Sequence, residues 1–189
     1  LSIVFTIQTG DYGLRFGDVA ELLKKYYAAV GIDIIIDTVD NQILTDRIND
    51  NSVEAAIFTA EGGFGITAIT DPRYFVPMHG QSIWGNGWQL WYLQPTNEHK
   101  VEPPQAIQDQ IALYKQVLQA PTNDQRIDLE KQVLQTAADN FWVIGISSAS
   151  DSYRPLSAKL ANVPDSWVNG WNPGGVAIAL PESWYFKNS

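Results

Sequence analysis

Asp18-Val-Ala-Glu-Leu-Leu-Lys-Lys-Tyr-Tyr-Ala-Ala-Val-Gly-Ile-Asp-Ile-Ile-Ile-Asp37 is the stretch that decides the fold. Its first half repeats Val19, Leu22, Leu23, Tyr26 and Val30 at helical spacing, with Asp18 as the expected N-cap and Glu21 three residues on. Gly31 stands where a helix end favours positive φ. Ile32 to Asp37 then turns β-branched and nearly all apolar, as expected for a strand buried on both faces of a parallel sheet. Leu1 to Gln8 reads as the strand before the helix, with Ile3, Phe5 and Ile7 alternating against Ser2, Thr6 and Gln8. Asp40 is placed to cap a second helix carrying Ile43, Leu44 and Ile48, and Val53 to Thr59 reads as a third strand. Two βαβ units with short loops predict an α/β fold: a mainly parallel sheet flanked by helices, with right-handed crossovers.

Further along, residues 60–104 are irregular and rich in glycine, proline and aromatics, a length without periodicity that more often serves function than connection. Pro103-Pro104 opens a helix with Ile107, Ile111, Tyr114 and Leu118 on one stripe. Ala120-Pro121 breaks it. Thr122 and Gln125 form a capping box for the next helix, whose apolar positions include Ile127, Val133, Leu134 and Ala137. Phe141 to Ser147 reads as a last buried strand, followed by a tail rich in proline, glycine and tryptophan. One domain with a decorated loop is the economical organisation.

Composition narrows the function. Of 189 residues 45% are hydrophobic and 17% charged, enough apolar mass for a core. The 21 acidic and 12 basic residues leave a net charge of -9, which argues against a basic nucleic-acid binder. With no cysteine, disulfides, thiolate metal sites and cysteine nucleophiles are excluded together. His79 and His99 have no ligand spacing, and Asp33, Asp37 and Asp40 do not match a calcium loop. No G-x-S-x-G surrounds a serine. Gly10, Gly13 and Gly17 follow the first strand, and Asp37 ends the second where a ribose-binding acid would sit; the glycines do not form G-x-G-x-x-G, but an α/β nucleotide-binding enzyme remains the alternative reading.

The aromatic excess points elsewhere. Seven Trp, eight Tyr and seven Phe make 12% of the chain. Trp84, Trp88 and Trp91 have i, i+4, i+7 spacing, so one helix would align all three, either in the core or as a wall against a flat ligand. Gly85, Asn86 and Gly87 suit a core helix poorly, and neutral amides beside stacked indoles suit sugars or extended peptides. Glu61, Arg73 and Asn86 are the candidate polar contacts; Arg73 is equally read as a structural partner for Asp71 or for a helix end. A plain interaction domain would instead expose these aromatics as an apolar patch.

Several runs resemble one family. Ala29-Val-Gly-Ile-Asp-Ile-Ile-Ile36 through Asp40, Val53-Glu-Ala-Ala-Ile-Phe58, Thr70-Asp-Pro-Arg-Tyr-Phe75, and Ala120-Pro-Thr-Asn-Asp-Gln-Arg126 through Asn140-Phe-Trp-Val-Ile-Gly-Ile146 are similar, in order and spacing, to the family 5 extracellular solute-binding proteins of ABC importers. The Trp84 to Tyr92 cluster and Pro181-Glu-Ser-Trp-Tyr-Phe-Lys187 look most like a subgroup that includes oligosaccharide receptors. The resemblance implies a periplasmic-binding-protein type II lobe: residues 1–189 as the second lobe of a two-lobed receptor, with about 151–189 returning toward a first lobe outside this sequence. It further implies a monomeric, non-catalytic, extracytoplasmic protein without cofactor, which captures an oligopeptide or oligosaccharide and delivers it to an ABC permease. Peptide receptors of the family commonly carry an aspartate just after the third strand. Here Thr59-Ala-Glu-Gly-Gly63 offers Glu61 instead, which leaves room for a sugar.

Overall fold

The computed structural model describes residues 1–10, 15–59, 69–146, 153–167 and 175–187. The chain divides into two compact units, Leu1–Ala60 with Pro72–Val143, and Glu61–Asp71 with Ile144–Ser189.

The larger unit begins as β1 (Ser2–Gln8), α1 (Phe16–Ala28), β2 (Asp33–Val39), α2 (Asn41–Asn49) and β3 (Ala55–Ile57). All three strands are parallel, in the order β2-β1-β3, with Phe5 opposite Ile36 on one side and Ala55 on the other. Because side chains alternate along a strand, that register puts Phe5, Ile7, Ile34 and Ile57 on one face, where they form a core with Phe16 and Ala20 of α1. Val39 and Phe58 fall on the opposite face and pack with Leu44 and Ile48 of α2. Each helix therefore covers one face of the sheet.

Local signals act largely where the sequence places them. Asp40 accepts from the Ile43 N–H at 2.9 Å as the N-cap of α2. Gly31 has φ +82°, a conformation that favours glycine. Asp18 does not cap α1. The helix starts earlier, at Phe16, and Asp18 lies in its first turn paired with Arg15 at 3.1 Å. Burial of Phe16 outweighs the cap, and Asp18 still meets the positive end of the helix dipole. Nor is β2 buried on both faces: Ile34 is fully buried, whereas Ile35 is 48% exposed, because β2 is an edge strand whose outer part α2 does not cover.

Three more helices complete this unit: α3 (Asn86–Leu93), α4 (Gln105–Gln119) and α5 (Asn123–Asn140). The last two pack as a hairpin, and Ala120, extended before Pro121, makes the corner. The Thr122 hydroxyl accepts from the Gln125 N–H at 3.3 Å, as the capping box requires. The buried stripe of α4 runs through Ile107, Ile111, Tyr114 and Val117 rather than Leu118, which is 55% exposed; on α5, Ile127 is likewise exposed while Val133 is buried. The strand expected from Phe141 onward is absent. Phe141 ends α5 with φ +54°, and residues 142–146 are exposed and unpaired. Apolar, β-branched composition raises strand propensity, but a strand also needs a ladder partner, and among the described residues none pairs with this run. Ser147 lies outside the described residues.

In the smaller unit, β4 (Leu160–Ala161) pairs antiparallel with β5 (Tyr185–Phe186). Trp167 and Trp184 lie 6.2 Å apart, and the Trp184 indole donates to the Ala179 carbonyl at 2.9 Å. Among the described residues no helix is long and apolar enough to cross a membrane.

Candidate functional site

The order β2-β1-β3 has a consequence for chemistry. The chain steps from β1 to β2 on one side, then crosses back to place β3 on the other, so the strand order reverses beside β1. In open α/β sheets, ligands occupy the crevice beyond the carboxyl ends of the strands at such a reversal. Here those ends are Gln8, Thr9 and Gly10 after β1, and Phe58 and Thr59 after β3. Gln8 is buried and donates to Asn41 Oδ1 at 2.8 Å, which ties β1 to the start of α2. Gly10 has φ +111°, turning the chain out of the sheet. Residues 11–14 and Glu61 lie outside the described residues.

An aromatic cluster is anchored beside the β3 end. The Tyr74 hydroxyl donates to the Thr59 carbonyl at 2.8 Å, and Ile83 packs with Phe58 against the α2 core. Ile83–Gly85 forms a 3-10 turn leading into α3. From that turn the Trp84 indole donates to the Arg73 carbonyl at 2.8 Å. Trp84 meets Trp88 edge to face at 6.1 Å, and Trp142 closes the group, stacked on Trp84 at 6.5 Å and edge-on to Trp88 at 5.0 Å. Trp84 and Trp88 are half-buried, and Trp142 is 39% exposed. These offset and T-shaped pairs are the arrangements aromatic quadrupoles favour.

Gly85 and Gly87 are required by close packing. A Cβ at Gly85 would lie 2.9 Å from Trp88 Cε3, and one at Gly87 would lie 2.7 Å from Val101 Cγ2. What looked like a poor core helix is a helix pressed tightly against its neighbours.

The candidate residues separate accordingly. Trp84 and Trp88 come together. Trp91 joins neither and lines a different cleft, because the change from 3-10 turn to helix breaks the single helical face that the spacing implied. Arg73 is 6% exposed, its guanidinium donating to Gln81 Oε1 while its carbonyl accepts from the Trp84 indole. Asn86 is 5% exposed, and both polar atoms of its amide lack a hydrogen-bond partner among the described residues. Trp142 was missed: it lies 54 residues beyond Trp88, and no local spacing signals a partner so distant. Asp37 is paired with Arg47 at 2.5 Å and so is already engaged. No group of three His, Asp or Glu residues suited to a metal occurs among the described residues.

One buried acid lies apart from this cluster. Glu130 on α5 is 5% exposed, neither of its carboxylate oxygens has a hydrogen-bond partner among the described residues, and burial pushes its pKa up to about 7.

No protein-family model matches the sequence, and no curated protein matches it. Solved structures do. The oligopeptide-binding protein OppA aligns with all of this chain at 19% identity and a TM-score of 0.69, and AppA from Clostridium difficile aligns with 75% of it at 13% identity and 0.53. The chain spans 31% of OppA and 25% of AppA. At these identities the likeness is one of fold: a parallel sheet flanked by helices, the lobe architecture expected from the sequence.

Proposed function

We propose that this chain is one lobe of a two-lobed extracytoplasmic receptor that captures an oligopeptide or oligosaccharide and passes it to an ABC permease. The carrying observation is the anchored indole cluster of Trp84, Trp88 and Trp142 beside the carboxyl end of β3, next to the reversal of strand order. Trp142 and the open edges of Trp84 and Trp88 supply a wall for sugar rings or peptide side chains. Asn86 is the polar contact of this reading, Arg73 positions Trp84, and Trp91 lines another cleft outside this wall. The fold shared with OppA, an oligopeptide-binding protein, supports a binding role.

Thermal denaturation of the complete receptor against a panel of oligopeptides and oligosaccharides tests this. Ligand at about 100 times its Kd adds about 2.7 kcal/mol to stability. A class that raises Tm in the parent but not in a Trp84→Ala/Trp88→Ala variant is the expected result. An equal rise in both proteins contradicts the site.

A further inference from the structure

A second cleft lies between α3 and α4, about 550 Å³ in volume and within the 300–1,000 Å³ that small-molecule sites occupy. Trp91, Tyr92, Pro95 and Ile111 line it as apolar surface, and its polar groups are Gln108 and two lysines, Lys100 and Lys115. The chain carries 21 acidic residues against 12 basic ones, yet none of those acids lines this cleft. Neither lysine has an acidic partner among the described residues. Both are nonetheless held in place. The Lys115 ammonium sits 5.0 Å from the centroid of the Tyr92 ring, and Lys100 donates to the Pro95 carbonyl. Each positive charge is thus positioned by a neutral partner that leaves it uncompensated.

We infer that this cleft binds a small aromatic carboxylate, its ring against Trp91 and Tyr92 and its anion toward Lys115 and Lys100. An indole and a phenol offer flat apolar area to a ring, and an anion within reach of two cations gains charge-assisted hydrogen bonds. Gln108, whose Nε2 already donates to the Pro103 carbonyl at 2.9 Å, keeps a second N–H to orient the head group. The site is separate from the Trp84–Trp88–Trp142 cluster and stands whether or not that cluster binds a solute.

Calorimetric titration of the full chain with 2-naphthoate tests it, with 2-naphthylmethanol as the neutral counterpart. Binding of the carboxylate at least tenfold tighter than the alcohol is expected, weakening with added salt. Lys115→Met is expected to lower naphthoate affinity about tenfold, Trp91→Ala to lower affinity for both compounds, and Lys131→Met, on α5 outside the cleft, to change nothing. Equal affinity for the two compounds overturns the inference. So does a loss in Lys131→Met as large as in Lys115→Met, or an acidic apolar peptide that binds through Lys115 where naphthoate does not.

Discussion

At Gly87 a single hydrogen atom in place of a methyl group lets α3 lie against Val101. The Val101 backbone is held there, because its N–H donates to the Gly87 carbonyl at 2.9 Å. Gly87→Ala is therefore expected to destabilise the protein by about 1–3 kcal/mol, read as a lower urea midpoint. Glu130 makes a prediction of a different kind. Its pKa of about 7 in the folded chain stands above the ordinary 4.5, so the folded state holds the proton more tightly than the unfolded. The resulting stability is full below pH 4.5, is lost as pH rises toward 7, and changes little above that. Urea midpoints are expected to fall across that window in the parent, with a loss of unfolding free energy on the order of 3 kcal/mol. In Glu130→Gln the fall is absent, and the variant is the more stable protein at pH 8. A variant that keeps the parent's pH dependence shows that another group titrates. Neither residue's role is legible in the sequence: a glutamate at a core-facing helix position and a glycine near tryptophan acquire meaning only from what packs against them.

Periodicity made the helices legible, and partners decided the strands. The Asp40 and Thr122 caps and the Ala120-Pro121 corner depend on neighbours within a few residues and are found. The stripes are found in part: on α1 Val19 and Leu23 pack against a core built on Phe16 and Ala20 while Leu22, Tyr26 and Val30 are exposed, and on α4 Leu118 gives way to Val117. Phe141 to Ile146 carries the same apolar character as Ile32 to Asp37 yet forms no strand, since a ladder needs a partner that composition does not reveal. Trp84, Trp88 and Trp91 show the same limit. Their spacing presumed one helix, and the 3-10 turn at Ile83–Gly85 sends Trp91 to another cleft. Element stability follows from the same packing. Ile34→Ala, in the fully buried position where β2 meets α1, is expected to cost about 2–5 kcal/mol, and Thr122→Ala, which loses one cap, about 0.5–2 kcal/mol. Chemical denaturation of the two variants side by side checks the order; a larger loss from Thr122→Ala contradicts the core assignment.

For the molecule as a whole, the parallel sheet with a helix on each face sets where a ligand can go. Reversal of strand order beside β1 directs attention to the ends of β1 and β3, and the indole cluster is fastened there through Tyr74, Arg73 and Ile83. The sequence disclosed the βαβ pattern and two of the three clustered tryptophans; Trp142 required the fold. The chain spans 31% of OppA's length, and under the proposed function a second lobe of the complete receptor supplies the opposing wall of the cleft. The most direct test is tryptophan fluorescence of that complete receptor, titrated with oligopeptides and oligosaccharides beside a Trp142→Phe variant. One class is expected to change the emission saturably in the parent, with a smaller change in the variant. Saturable binding with identical emission changes in the two proteins, or no response to either class, contradicts the claim that this cluster is the binding wall.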